Sequence, residues 1–179
     1  MCLTKAVVVP VEVIGFTSYN SEPRKSMSSY TSEETAAVIK AVTLASMAVS
    51  IADIGIISTA IEAGALAQEI VGAAKKYPAN SIVQSVFSAE AVKSNSPKAP
   101  EGMTPENVVD MAMSAVNNAV SIVTAKATPA EVQEYKQFIY TAAEHVANAA
   151  GDGLFGSGSN KVSAKEAATL AKIKATLGV

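Results

Sequence analysis

The stretch TSEETAAVIKAVTLASMAVSIADIG, Thr31 to Gly55, decides the fold. It opens on Thr31-x-x-Glu34. At this spacing the threonine oxygen accepts a free backbone N–H of the first helical turn while the glutamate reaches back to the cap. A helix over 32–52 is predicted, broken by Asp53-Ile54-Gly55. Val38, Ile39, Val42, Ala45 and Val49 form one apolar stripe at helical spacing, and Ala41, Leu44, Ala48 and Ile51 form a second. A helix apolar on two faces has little to offer water and belongs in the middle of a bundle. The expected fold class is therefore all-α.

Similar signals recur outward from this helix. Thr59-x-x-Glu62 opens a helix to Lys76, with Ala63, Leu66, Ala67, Ile70, Ala74 and Tyr77 on its stripe and Pro78 as its stop. Asn80 can cap a helix over 81–93 that turns Ile82, Val83, Val86 and Phe87 inward. The loop SNSPKAPEG (94–102) carries two prolines and leads to Thr104-Pro105-Glu106, a cap followed by proline at the first helical position. That helix runs to Lys126 on Val109, Ala112, Met113, Val116, Val120 and Val123. Thr128-Pro129-Ala130-Glu131 repeats the signal for a helix over 129–150, striped by Val132, Tyr135, Phe138, Ile139, Ala142, Val146 and Ala149 and stopped by Gly151. Ser163-x-x-Glu166 boxes a last helix, with Leu170, Ile173 and Leu177 inward, until Gly178. Toward the N-terminus no helical period is present. Val7 to Ile14 would suit a short strand, and residues 19–29 read as a serine-rich linker. The expected organisation is a poorly ordered arm, 1–30, followed by a compact bundle domain of about six helices, 31–179.

The totals fit that fold. At 179 residues the chain is long enough for a core of its own. Hydrophobic residues make up 49% but aromatics only 5%, with no Trp, so small side chains must let the helices approach closely. The net charge of −2 offers no electrostatic footing for nucleic acid. The one cysteine, Cys2, cannot form an internal disulfide, so nothing calls for an oxidising compartment. The first residues resemble a weak leader, but Pro10 and Glu12 interrupt the apolar run. Ala41 to Ile61 is apolar enough to span a membrane. Asp53, Gly55 and the Thr59/Glu62 box point instead to two buried helices meeting at a corner. The expected location is cytoplasmic.

The segment GDGLFGSGSNKVSAKE, Gly151 to Glu166, is the least ordinary in composition. Gly151-x-Gly153-x-x-Gly156 matches a dinucleotide fingerprint by letters, but that motif works only between a strand and a helix. Gly153-x-x-x-x-Gly158 lacks the Lys-Ser/Thr of a phosphate loop. Asp152, Ser157, Ser159 and Asn160 offer oxygens, but one carboxylate is too few for calcium. Neither a cofactor nor a metal is expected. The glycines permit a helix stop after which Leu154 and Phe155 fold over the bundle end or form a contact tip. His145 is the only histidine, and its neighbour Glu144 lies on another helix face, so it reads as a boundary residue. Asp53, Glu62, His145 and Asp152 remain the polar candidates should the chain hold a site. Lys161, Lys165 and Lys172 share one helix face, which suits solvent or an anionic partner.

On these residues the C-terminal third resembles a set of uncharacterised bacterial all-helical proteins. The likeness runs through Tyr135-Lys136-Gln137-Phe138, Val146 to Ala150, the turn Gly153-Leu154-Phe155-Gly156 with Gly158, Val162-Ser163 through Glu166 and Leu170, and Leu177-Gly178. Ala48 to Ser58, in the pattern A-x-x-x-A-D-x-G-x-x-S, is distantly similar to the TerB-like helical domain of tellurite-resistance proteins. The acidic pairs of that family are not reproduced, since Ile54 separates Asp53 from Gly55, so its metal binding does not carry over. The resemblance implies a helical fold and a stress-related role, and it brings no known reaction.

The expected function is that of a non-enzymatic bundle acting through contact with another protein or with a second copy of itself. The alternatives are a membrane-associated protein, through Ala41 to Ile61 or the tip, and a metal-binding or catalytic domain built on Asp53, Glu62, His145 and Asp152.

Overall fold

A computed structural model describes residues 30–54, 59–95, 102–151 and 162–179. Among them are seven helices: α1 (Ser32–Ile54), α2 (Thr59–Lys76), α3 (Ser81–Val86), α4 (Ala89–Ser94), α5 (Val108–Lys126), α6 (Pro129–Gly151) and α7 (Ala164–Leu177). They form a compact all-helical bundle. Helix α1 is its axis and packs against α5, α6 and α7, while α2 lies on α6. Both predicted stripes of α1 are buried throughout, from Val38 to Ile51. The start is a complete capping box: Thr31 N–H donates to Glu34 Oε2 at 2.8 Å and Glu34 N–H donates to Thr31 Oγ1 at 3.2 Å.

The main core is shared by α1, α2, α3, α5, α6 and α7, and its aromatic part lies where α3 meets α6. Phe87 and Phe138 pack edge to face with ring centroids 5.0 Å apart, and Tyr77 meets Phe138 at 6.0 Å. Such pairs add stabilisation beyond their buried area. Tyr135 is fully buried, and its hydroxyl donates to the Val38 carbonyl at 2.8 Å, so the one polar atom of that ring is satisfied. A second, smaller cluster joins α1 to α5 through Leu44, Ala48, Ile51, Val108 and Ala112.

Four boundaries depart from the sequence reading. The helix expected over 81–93 is two: Phe87 leaves helical geometry and Ser88 turns extended, its side chain accepting Ala91 N–H as the cap of α4. Phe87 is thereby set among the rings of Tyr135 and Phe138. The helix expected from Thr104 starts at Val108, because Asn107 folds the preceding residues into a turn. Its side chain accepts Thr104 N–H and donates to the Gly102 carbonyl, both at 2.8 Å. A local side-chain amide has outcompeted the Thr-Pro start signal. Helix α1 continues through Asp53 to Ile54. Tyr30, counted with the arm, packs half-buried against the core with Lys126 Nζ 5.3 Å from its ring centroid. The rest of the arm, including Val7 to Ile14, lies outside the described residues.

The run Ala41 to Ile61 is divided between α1 and α2. Among the described residues, two helices are long and apolar enough to cross a membrane: α1 over Ser32–Ile51, mean hydropathy 1.4, and α5 over Val108–Lys126, mean hydropathy 1.3. Two thirds of the α1 window (67%) is buried inside the bundle. The exposed positions of α5 include Asp110, Ser114, Asn117, Asn118, Ser121 and Thr124, a polar face.

Candidate functional site

Helices α1 and α5 run antiparallel, so Glu34 near the start of one pairs with Lys126 at the end of the other. Beside that corner their outer faces diverge into an open groove of about 930 Å³. On α1 its wall is Glu33, Ala36, Ala37, Lys40 and Leu44, and on α5 it is Asp110, Met111, Ser114, Ala115 and Asn118. Both sets recur every three to four residues, so each is one face of its helix. The groove exists because positions 36, 37, 114 and 115 carry alanine or serine, whose side chains are too short to fill the space between two helices. The result is an apolar floor with Leu44 and Met111 at its deeper end. The rim carries two carboxylates, Glu33 and Asp110, and one ammonium, Lys40, all exposed. Asn107 and Asn95 close one end. The Asn107 amide is engaged in its own turn, and the Asn95 side chain donates to the Ala91 carbonyl at 2.9 Å.

The predicted polar candidates do not supply a competing site among the described residues. His145 is half-exposed (42%), and its Nδ1 lies 2.6 Å from Glu69 Oε1, a contact between α6 and α2. Lys76 Nζ sits 4.0 Å from the other oxygen of Glu69. Glu69 is thus the acid that orients the histidine. It is 76 residues away in sequence, and nothing in the local pattern of α2 singles it out. The described residues hold no group of three or more His, Cys, Asp or Glu side chains able to bind a metal. Asp53 falls in the last turn of α1 and Glu62 in the first turn of α2. Asp152, Leu154 and Phe155 lie outside the described residues, as does the glycine-rich turn. On α7, Lys165 and Lys172 face solvent, while Lys174 Nζ lies 5.5 Å from the Tyr140 ring centroid.

A second electrostatic feature, at the junction of α3 and α6, is structural. Glu131 Oε2 accepts Thr128 N–H at 2.9 Å, and its other oxygen accepts Ser81 N–H at 2.8 Å. One carboxylate therefore caps the starts of both α6 and α3. Burial on its own would raise its pKa, but the hydrogen bonds from Ser81 and Thr128 prevail and bring it down to about 2. Asn80 completes the junction. Its Nδ2 donates to the Glu131 carbonyl and to Glu134 Oε2, both at 2.9 Å, while its Oδ1 accepts Val83 N–H at 3.0 Å. Tyr30 stands nearby. Burial, with smaller contributions from the charges of Glu131 and Glu34, pushes its phenol up to about 12.

No family model matches the chain, and neither a curated protein nor a solved structure matches it, so its function has to be argued from the groove and the groups around it.

Proposed function

We propose that the protein is a non-catalytic helical scaffold that works by contact, presenting the α1–α5 groove to a segment of another protein. The observation that carries this reading is the groove itself: an apolar floor about three helical turns long, rimmed by unlike charges. Two helices with an apolar channel between them are a common receptor for a peptide, which gains affinity from the floor and register from the rim. The test is quantitative capture from cell extract by the wild-type chain, by Ser114→Arg/Asn118→Arg, and by Lys172→Glu on α7. The expected outcome is a defined set of proteins lost with the groove variant and retained with the α7 variant. Capture that is indifferent to the groove variant would remove the reading.

The sequence offers a second contact point, Leu154 and Phe155. Phe155→Ala separates its two roles. A cap over the bundle end predicts a loss of about 3–5 kcal/mol if the ring is fully buried. A contact tip predicts nearly unchanged stability and weakened association. The cytoplasmic location and the stress-related role are part of the proposal, the latter resting on the TerB-like resemblance. Fractionation of expressing cells tests it against the membrane reading. Elemental analysis of dialysed protein tests it against the metal reading, and one equivalent of zinc, calcium or manganese would bring Asp53, Glu62 and Asp152 forward.

A further inference from the structure

The charges on the groove rim recur at a regular interval. Glu33 stands at the corner that Glu34 and Lys126 close, and Lys40 follows seven residues later on the same wall of α1. At 1.5 Å per residue this puts Lys40 about 10 Å along the groove. Asp110 stands sixteen residues before Lys126 on the antiparallel α5, about 24 Å from the same corner. The order along the groove is therefore acid, base, acid, in steps of roughly two helical turns. All three groups are exposed, and no ion pair joins any of them to another described residue. We propose that the occupant of the groove is an amphipathic helix of another protein, carrying a basic residue at each end of a two-heptad span and an acidic residue midway. This assignment rests on the reading of the groove as a contact surface.

The walls call for a helix. Both are helices themselves, and their backbone groups are already bonded internally, so they offer nothing to the backbone of a neighbour. An extended segment would lay part of its own N–H and C=O groups against Ala36, Ala37 and Ala115, with Ser114 and Asn118 as the uncharged polar side chains along the walls. A helix arrives with its backbone paired and sets one apolar stripe into the groove. Because the floor is short-chained, that stripe must supply the bulk, in side chains of leucine size or larger.

The charges set the register. Residues seven apart on a helix share one face, and two heptads rise about 21 Å. Long basic side chains reach the remaining few ångströms to Glu33 and Asp110, while the midway acid meets Lys40. Base, acid, base reads the same in both directions, so the pattern fixes where the helix sits and not which way it runs. A second copy of this chain is a poor fit. The widest lysine spacing within one described helix, Lys165 to Lys174 on α7, is nine residues rather than fourteen. Exposed ion pairs change affinity about twofold to fivefold each. Three pairs matched rather than opposed therefore separate partners by about tenfold or more, which is selectivity rather than bulk affinity.

Synthetic helical peptides of about 20 residues test this, with binding to the full-length protein followed by fluorescence anisotropy. All share one alanine–leucine framework. The first carries lysine, glutamate and lysine at seven-residue spacing, the second glutamate, lysine and glutamate, and the third lysine at all three places. The first should bind about tenfold or more tighter than the second, with the gap shrinking at high salt. Lys40→Glu should turn the preference to the third peptide, and Asp110→Asn should narrow the gap between the first two. Both substitutions are exposed, and an unchanged far-UV helical signal checks that the fold is kept. Ser114→Arg/Asn118→Arg should abolish binding of the first peptide. Equal binding of the first two peptides, or binding indifferent to Lys40→Glu, would overturn the charge pattern. No binding of any helical peptide, while capture from extract still depends on Ser114 and Asn118, would overturn the helical occupant and leave the contact reading standing. Loss of groove-dependent capture as well would remove both.

Discussion

The junction between α3 and α6 and the face between α1 and α5 solve the same problem, joining two helices, by opposite means. At the junction the residues are large and the polar groups are wired together. Phe87, Tyr135 and Phe138 fill the interior, and above them Glu131 and Asn80 satisfy backbone groups of both helices. At the α1–α5 face the inner contact runs from the cluster around Leu44, Ala48 and Val108 into the main core at Val116, Ala119 and Val123, and four of the ten positions that line the groove, 36, 37, 114 and 115, are alanine or serine. One contact is filled and directional. The other is close but leaves room beside it. Burial alone does not separate them, since Phe138 and Ala112 are equally buried. Side-chain length does, because short residues let helices approach yet cannot close the groove at their edges.

The comparison breaks most visibly at Phe138. Truncation to alanine removes a fully buried ring that meets both Phe87 and Tyr77, and should cost about 3–5 kcal/mol in denaturant unfolding. A loss below about 1 kcal/mol, the range of a surface change, would mean the junction is not the mechanical centre of the bundle. Glu131→Ala should cost about 0.5–2 kcal/mol for each of the two helix starts it caps. The acid side gives an independent reading. The folded pKa of Glu131, about 2, lies below its ordinary value of 4.5, so its contribution is full above pH 4.5 and is lost as pH falls toward 2. Glu131→Gln should flatten that part of the stability–pH curve. An unchanged slope would assign acid sensitivity to other carboxylates.

Smaller effects sharpen the contrast. Tyr135→Phe keeps the ring and deletes only the hydrogen bond to Val38, for an expected cost of about 0.5–1.5 kcal/mol. Tyr30 contributes to the alkaline limit. Its phenol holds its proton to about 12 while the unfolded group ionises near 10, so stability should decline between those values as pH rises. Tyr30→Phe should reduce that decline, read from unfolding curves across the range, and leave the part that comes from the buried Tyr135, whose phenol is also raised. Smallest of all, Ser114→Arg on the groove rim should shift stability by no more than about 0.5 kcal/mol, as exposed substitutions do. A large loss there would show that the groove is part of the packing rather than a surface held ready.

Much of the fold was legible because its signals are local. A Thr or Ser three residues before a Glu is an N-terminal box at 31, 128 and 163, and hydrogen bonds close it at each. The stripes of α1, α6 and α7 follow from the helical period alone. Local competition decided where the reading failed: Asn107 turned the chain before α5 could start, and Ser88 capped a new helix inside an expected one. The site was less legible. His145 stood out by composition, but its partner Glu69 comes from another helix.

The sequence by itself determined that the chain is helical, where most helices begin, and that α1 would be buried on both sides, because capping and periodicity are matters of a few neighbouring residues. Only the tertiary structure decided what lies across from what. That Glu131 would cap α3 as well as α6, that Glu69 would meet His145, and that four small residues on α1 and α5 would face each other across open space depend on pairings separated by some 50 to 80 positions. No period within a helix encodes those pairings, because they arise from how whole helices settle against one another.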